Sequence, residues 1–254
     1  ADYNKTIELD PNNGDAYFNL GYIYYQNKED YSSSLINLIQ AAELNPEQAV
    51  TWNNIGVIYE NKIKDYDNAL KYYNKAIEID STYSDSYRSI GSLYQYDLKD
   101  NDKALEYFNK VIDLEPENSL NYYYRGEFYE DTIEDYDKAI ADYNKTIELD
   151  PKDEDAYFSL GYIYQEIKED YNTALTYYLK VGELNPEEAV TWNNIATIYR
   201  DDLEDYDNAL KYYNKAIEVD STYFLSYRNI GSLYQYHLKD NDKALEYFNK
   251  VIDL

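Results

Sequence analysis

Residues 47–81 read EQAVTWNNIGVIYENKIKDYDNALKYYNKAIEIDS, and this stretch contains two amphipathic patterns in succession. The apolar stripe of its first half comprises Trp52, Ile55, Gly56 and Tyr59. Steps of three and four residues place these side chains on one face of an α-helix. An apolar row with the same spacing follows over 66–77. The stretch therefore predicts two consecutive helices, each with one apolar face.

This pattern returns every 35 residues along the chain. All prolines share one phase of the period: Pro11, Pro46, Pro116, Pro151 and Pro186, with Ser81 and Ser221 at the two vacant positions. Such a period is typical of a solenoid, in which each repeat packs on its neighbours instead of around one closed core. The proline position is predicted at the end of each second helix, because a residue without a backbone N–H stops helix propagation.

Two further rows of residues indicate where helices begin and where they approach one another. An aspartate precedes each second helix, where its carboxylate accepts from free N–H groups and contributes about 1 kcal/mol. These residues are Asp30, Asp65, Asp100, Asp135, Asp170, Asp205 and Asp240.

The first helices carry glycine at 21, 56, 91, 126, 161 and 231, and Ala196 at the remaining position. Because glycine costs a helix about 1 kcal/mol relative to alanine, this row predicts close helix contacts.

The repeat resembles the tetratricopeptide repeat family. In one unit the matching residues are Tyr17, Leu20, Gly21, Tyr24, Ala41 and Pro46. The resemblance covers the whole chain and implies an all-α fold, a right-handed α-solenoid of antiparallel helix pairs. The family unit usually has 34 residues and a glycine in the turn between its helices. Here each turn carries one extra residue and charged side chains, so we expect a slightly longer first helix or turn.

We expect a single array over residues 1–254, with about seven repeats and a partial helix at the N-terminal end. Residues 1–114 align without gaps with residues 141–254, and 84 of the 114 pairs are identical. A four-repeat block, residues 1–140, is therefore interpreted as duplicated from residue 141. The sequence begins and stops inside second helices without polar end units, which favours a part of a longer array.

Composition argues against several classes of function. The formal net charge of −27 opposes binding to nucleic acid or to an anionic membrane surface. The sequence has no cysteine and one histidine, His237, so the usual nucleophile–base pairs and thiolate zinc sites are missing. We predict no catalytic residue, no cofactor and no metal site, and we expect His237 at the surface. The lack of cysteine and of a visible signal peptide agrees with a cytoplasmic location.

The candidate binding site is the face of the first helices that the core does not use. The resemblance implies that these helices line a concave groove. The candidate groove residues are Phe18, Asn19, Tyr22, Asn53, Asn54, Arg88, Ser89, Tyr123, Tyr124, Phe158, Tyr162, Asn193, Asn194, Arg200, Arg228 and Asn229. They stand three and two residues before the recurring glycine and one and four residues after it, which places them on one face of each first helix.

The chemistry of this face suits a peptide. Asparagine recurs two residues before the glycine, as Asn19, Asn54, Asn194 and Asn229, and its amide offers both a donor and an acceptor, which match the backbone of an extended chain. The alternative is that these asparagines pack between repeats. Arg88 and Arg228 are candidates for binding a carboxylate through their planar guanidinium groups, and the alternative is an internal salt bridge. Arg125 stands where an aliphatic residue usually packs, so it is interpreted as structural.

We therefore predict a protein-interaction scaffold that binds an extended peptide or a partner helix in the groove. The acidic field favours a basic or amphipathic partner. Two alternatives remain open. The array is a structural element that associates with itself through uncapped ends, or it serves an enzyme whose catalytic domain lies outside this sequence.

Overall fold

The computed structural model describes residues 2–254, and every regular element in that range is helical. Residue 1 of the predicted array lies outside the described residues. The chain divides into two compact units, and the first ends at Asp135. The helices of the first unit are α1 Tyr3–Leu9, α2 Gly14–Lys28, α3 Tyr31–Leu44, α4 Ala49–Ile58, α5 Tyr66–Ile79, α6 Ser84–Tyr96, α7 Asn101–Leu114 and α8 Ser119–Glu127.

The second unit begins at Tyr136 and repeats the same alternation. Its helices are α9 Tyr136–Leu149, α10 Glu154–Tyr162, α11 Tyr171–Leu184, α12 Ala189–Asp201, α13 Tyr206–Val219, α14 Phe224–Leu233 and α15 Asn241–Asp253. The first helices α2, α4 and α6 of the first unit and α10, α12 and α14 of the second each pack mainly on the second helix that follows, as α2 does on α3 and α12 on α13. The predicted fold class, an all-α solenoid of antiparallel helix pairs, is confirmed. A single array over residues 1–254 stays a prediction.

The extra residue of the 35-residue repeat is taken up at the end of the first helix. Four first helices widen there into a π-helical turn, at Tyr59–Ile63, Phe128–Ile133, Ile163–Ile167 and Tyr234–Leu238. A π turn holds one more residue than an α turn, which accounts for the longer first helix that the sequence predicts. No helix among the described residues is long and apolar enough to cross a lipid bilayer.

In all seven repeats a left-handed residue stands directly before the aspartate that precedes the second helix. Within residues 2–254 the non-glycine residues with positive φ are Glu29, Lys64, Lys99, Glu134, Glu169, Glu204 and Lys239, at 50° to 62°. The aspartate that follows donates its N–H to a carbonyl six residues earlier, as Asp65 does to Tyr59 over 3.0 Å. Its carboxylate then accepts from the next helix, for example from Asn68 N at 3.1 Å. One aspartate thus closes one helix and caps the next.

Glu204→Gly is expected to raise the free energy of unfolding by about 0.5–1 kcal/mol, because glycine adopts this left-handed conformation without the steric cost of a Cβ. Glu204 is exposed and has a φ of 52°. The measurement is the urea midpoint of the full chain. Glu204→Ala is the control, since it removes the same carboxylate but keeps the strained φ. Equal midpoints for the two variants would contradict a strained turn.

The proline position also anchors the aromatic residue of the next first helix. Trp52 donates its indole N–H to the Pro46 carbonyl at 2.9 Å, and Trp192 does the same to Pro186 at 3.0 Å. The Tyr122 hydroxyl donates to the Pro116 carbonyl at 3.1 Å. Each of these three prolines therefore follows the end of one helix, and its carbonyl fixes the aromatic residue of the next helix.

The small residues of the first helices lie against large side chains of the second helices, as predicted. A Cβ added to Gly56 would stand 2.6 Å from the ring of Tyr73, which is fully buried. At Ala196 the chain accommodates a methyl group in the cluster that contains Tyr213. At Gly56, Gly91 and Gly161 the second helix thus inserts a buried ring against the middle of the first helix, and at Gly21 it inserts Leu38.

Candidate functional site

An open cleft of about 570 Å³ lies along the first helices of the first unit. Its walls come from α4 with its π-helical end, from α6 and from α8, and α5 contributes one tyrosine. The residues that line this space, which we call cleft 1, are Val50, Asn53, Asn54, Val57, Glu60, Asn61, Tyr73, Tyr83, Asp85, Arg88, Ser89, Ser92, Tyr96 and Tyr124.

A smaller pocket of about 130 Å³ adjoins cleft 1 and is mainly apolar. Its lining residues are Tyr22, Tyr25, Gln26, Leu38, Asn54, Val57 and Ile58. Asn54 and Val57 border both spaces. A polar cleft with an apolar extension is the kind of surface that accommodates a peptide backbone together with an apolar side chain.

Most of the residues predicted for the groove of the first unit line these spaces. Those in cleft 1 are Asn53, Asn54, Arg88, Ser89 and Tyr124, and Tyr22 lines the apolar pocket. Phe18 packs instead against the buried cluster around Leu38. Asn19 donates to the Asp15 carbonyl of its own helix at 2.7 Å. Tyr123 lies edge-on to Tyr124, with ring centroids 6.0 Å apart.

The asparagines three before the glycine are buried and bonded between first helices. The Asn53 side-chain oxygen accepts from the Ser86 hydroxyl at 2.9 Å. Its counterpart Asn193 accepts from Ser226 at 3.1 Å and from the Asn229 amide at 3.0 Å. The asparagines for which the sequence left packing as the alternative stand one residue later. Among these, Asn229 is buried and has the packing role, whereas Asn54 and Asn194 retain exposed surface.

Those later asparagines, Asn54 and Asn194, occupy equivalent places in the two units. Both are half-buried, and neither amide forms a hydrogen bond to another group in residues 2–254. Asn194 lines a cleft of about 220 Å³ in the second unit, which we call cleft 2. The lining of cleft 2 is Phe158, Tyr162, Gln165, Glu166, Tyr178, Asn194 and Thr197.

The predicted arginines have different partners. Arg88 is ion-paired to Asp85 at 2.6 Å and donates to the Asn121 side chain at 3.0 Å. Arg200 forms two 2.6 Å bonds to both carboxylate oxygens of Asp201. Arg228 is exposed and has no ion pair within the described part of the chain. The internal salt bridge that the sequence left open for Arg88 and Arg228 is therefore present at Arg88 and is not seen for Arg228 within the described residues.

Arg125 makes the structural contacts expected of it. Its guanidinium donates to the Asn109 side chain at 2.7 Å and lies 5.9 Å from the ring centroid of Tyr122. Both partners belong to the packing of α7 against α8.

The predicted site residues do not include the carboxylate–phenol pair at the base of cleft 1. Glu60 is 9% exposed and accepts a short hydrogen bond from the Tyr73 hydroxyl. Burial raises the pKa of the Glu60 carboxyl above its usual value, and the bond from Tyr73 opposes this rise. Burial and the neighbouring carboxylate raise the pKa of Tyr73, so the phenol stays a donor.

The sequence position of Glu60 indicates a place in the groove, whereas that of Tyr73 does not. Glu60 stands four residues after Gly56, in the row that also contains Arg200, so its position marks it as a groove residue. Tyr73 belongs to the apolar face of α5 and carries no such signal. Only the fold brings its hydroxyl to the cleft.

No metal-binding arrangement is found in the described residues. They contain no group of three or more histidine, cysteine or acidic side chains placed to hold a metal ion. His237 is exposed, as predicted, and its Nδ1 lies 3.0 Å from the Tyr206 hydroxyl. That contact recurs in the first unit, where the Tyr66 hydroxyl donates to Asp97 at 2.6 Å.

Three family models match the sequence. One tetratricopeptide repeat model matches residues 47–117, 153–222 and 187–254, which together exceed half of the chain. A TPR repeat model matches residues 133–168, and another tetratricopeptide repeat model matches residues 2–34. No curated protein matches the sequence significantly.

Solved structures with the same fold come from several proteins. MamA is 26% identical with a TM-score of 0.56, over 66% of this chain and 95% of MamA. YrrB, described as a TPR protein with an unusual peptide-binding site, is 25% identical with a TM-score of 0.54, over 74% of this chain and 95% of YrrB. Human IFIT1, solved as a dimer with PPP-AAAA, is 20% identical with a TM-score of 0.59, over 99% of this chain and 66% of IFIT1.

Proposed function

The chain belongs to the tetratricopeptide repeat family, and from that premise we propose that it is a non-catalytic protein-interaction scaffold that holds extended peptides in cleft 1 and cleft 2. Its partners are proteins, and neither nucleic acid nor a lipid surface is expected to bind a chain of net charge −27. The similarity to YrrB supports a peptide ligand, because YrrB is described as having a peptide-binding site.

The observation that carries this proposal is the pair Asn54 and Asn194. Each amide is half-buried in the wall of a cleft and forms no hydrogen bond to another group in the described residues. An amide in this position donates to one backbone carbonyl and accepts from one backbone N–H of an extended peptide. The apolar pocket beside Asn54 adds a place for a side chain. Backbone bonds thus supply affinity, and the pockets supply selectivity.

Asn54→Ala is expected to weaken the binding of a peptide by about thirtyfold, because both backbone hydrogen bonds of the amide are lost at about 1 kcal/mol each. The probe is the tightest peptide from a library of random 12-residue peptides selected on the full chain. Fluorescence anisotropy of the labelled peptide gives Kd. Asn194→Ala is measured in the same way, because the peptide engages one cleft or both.

Asn74→Ala and Asn214→Ala are the matched controls. Each of these asparagines is exposed on a second helix and donates to its own helix at 2.8 Å, from Asn74 to Leu70 and from Asn214 to Leu210. Their replacement is expected to leave Kd unchanged. The proposal fails if the library yields no binding peptide, or if both cleft variants bind as tightly as the controls.

A further inference from the structure

Cleft 1 contains a carboxylate that lacks a counter-ion within the described part of the chain. Glu60 accepts from Tyr73 but forms no ion pair, whereas the other acid of the cleft, Asp85, is paired with Arg88 at 2.6 Å. Burying a charged carboxylate costs free energy, and much of this cost stays uncompensated when no cation pairs with the carboxylate. The cleft therefore has a place for one positive charge.

Four tyrosine rings line the same cleft as this carboxylate. Tyr73, Tyr83, Tyr96 and Tyr124 all line cleft 1, and Tyr96 is 52% exposed. The face of a phenol ring attracts a cation electrostatically, and the interaction strengthens where water is displaced. The cleft already shows this geometry, since the Arg88 guanidinium lies 5.5 Å from the Tyr124 centroid. A cleft that contains both a carboxylate and phenol rings favours the binding of an ammonium or guanidinium group.

The equivalent position in the second unit has the opposite charge. Counting 140 residues onward, Glu60 corresponds to Arg200 and Tyr73 to Tyr213. Arg200 is neutralised by two bonds to Asp201. The two blocks are nearly identical but differ in charge at this position. Arg200 is paired with a neighbouring aspartate, whereas Glu60 has no ion pair within the described residues.

From these contacts we propose that cleft 1 binds a lysine or arginine side chain of an extended peptide, with Glu60 as its counter-ion and the exposed ring of Tyr96 beside it. This inference rests on the proposed function, since it assumes that a peptide lies in the cleft. The net charge of −27 adds a long-range attraction for such a basic segment.

The ionisation of Glu60 gives the site a predictable pH dependence. Burial raises the Glu60 pKa in the free protein, while a bound cation favours the charged carboxylate and lowers it. Binding of the basic peptide therefore tightens as the pH rises through the Glu60 pKa. The other titratable groups that act on this carboxyl are Tyr66, Tyr73, Asp97 and Lys64.

The test uses the same library of 12-residue peptides, selected on the full chain and on Glu60→Gln. Glutamine stands at this position in three other repeats, as Gln95, Gln165 and Gln235, so the variant is expected to fold. We expect the wild-type chain to enrich lysine or arginine at one peptide position. For a peptide with lysine there, Glu60→Gln weakens binding by about tenfold, consistent with a partly desolvated charge pair. Replacing that lysine by glutamine has the same effect on the wild-type chain and little on the variant.

Glu78→Gln is the control for net charge. Glu78 is exposed on α5 and is paired with Lys75 at 3.2 Å. Its replacement is expected to change Kd by less than twofold, because exposed charges are screened. Between pH 5 and pH 8 the affinity of the lysine peptide is expected to rise for the wild-type chain and to stay level for Glu60→Gln.

The outcomes separate this inference from the proposed function. Peptides that bind but show no basic preference, or that bind Glu60→Gln as well as wild type, overturn the inference and leave the scaffold function intact. An equal loss with Glu78→Gln also overturns it, since it would show a general charge effect. If no peptide binds, the proposed function fails and the inference fails with it.

Discussion

Gly182→Ile is expected to lower the free energy of unfolding by about 3 kcal/mol, at the upper end of the usual cost of overpacking a core. A Cβ at Gly182 would stand 2.4 Å from the ring of Trp192. That ring is 3% exposed and cannot retreat. Its N–H is bonded to the Pro186 carbonyl at 3.0 Å, and its other neighbours are the stacked ring of Tyr212 and the ammonium of Lys215. Urea denaturation of the full chain measures the loss.

A second substitution, Trp192→Tyr, is expected to restore most of that loss. Ten residues before each tryptophan the chain has a small residue, Ala42 before Trp52 and Gly182 before Trp192. The other five repeats pair an isoleucine with a tyrosine: Ile7 with Tyr17, Ile77 with Tyr87, Ile112 with Tyr122, Ile147 with Tyr157 and Ile217 with Tyr227. The double variant reproduces this second combination, and a tyrosine hydroxyl donates to the same carbonyl, as Tyr122 shows.

The double-mutant cycle separates packing from helix propensity. Trp192→Tyr alone is expected to cost about 1 kcal/mol, because it leaves a void beside Gly182. The double variant is then expected to lie about 1 kcal/mol below wild type, which gives a coupling energy of about 3 kcal/mol. Additive losses would contradict a direct clash between the two side chains. Tyr227→Trp, placed opposite Ile217, is expected to destabilise by the same mechanism.

The positions of the helices and their ends could be predicted from the sequence because they depend on local chemistry. The proline at the end of each second helix and the aspartate before each one act on their own backbone, whatever the fold around them. Asp65 and Pro46 lie where the repeat places them. The close approach at Gly56 was also predictable, since glycine inside a helix lowers its stability and is favoured where a neighbouring side chain needs the space.

The π-helical turns and the roles of individual asparagines were not predictable in the same way. An extra residue fits equally well into a longer loop or into a wider helical turn, and the sequence at 59–63 is compatible with both. Asn53 and Asn54 are adjacent, so a rotation of α4 by one residue decides which of them is buried against α6. That rotation depends on the packing of α4 on α5 and is not a local property of the sequence.

The base of cleft 1 shows the same limit for a functional residue. The alternation of apolar positions identifies Tyr73 and Tyr213 as core residues, and both are fully buried. Their hydroxyl groups differ only in what the first helix provides. Tyr73 donates to the Glu60 carboxylate, while the Tyr213 oxygen lies 3.1 Å from the Thr197 hydroxyl. The chain therefore contains its own matched pair for measuring what the buried carboxylate contributes.

Tyr73→Phe is expected to lower the free energy of unfolding by about 2–3 kcal/mol at pH 8, whereas Tyr213→Phe is expected to cost about 1 kcal/mol. Both changes keep the buried ring and remove one hydroxyl. In the first case the lost bond leads to a desolvated charge, and in the second to a neutral hydroxyl. Urea denaturation of the two variants at pH 5, 6.5 and 8 measures the difference.

The pH dependence distinguishes the charge from the packing. A carboxyl whose pKa is raised by folding contributes stability that is present below its unfolded pKa and is lost as the pH rises through the folded pKa. Without the Tyr73 hydroxyl the folded pKa of Glu60 rises further, so the penalty of Tyr73→Phe is largest at pH 8 and shrinks towards pH 5. Asp97 and Lys64 also act on this carboxyl, but the substitution leaves them unchanged. Adding Glu60→Gln is expected to remove the pH dependence of the penalty. A penalty for Tyr73→Phe that stays constant from pH 5 to pH 8 and also equals that of Tyr213→Phe would show that Glu60 carries no charge at the base of cleft 1. The counter-ion assigned to a basic peptide would then be lost with it.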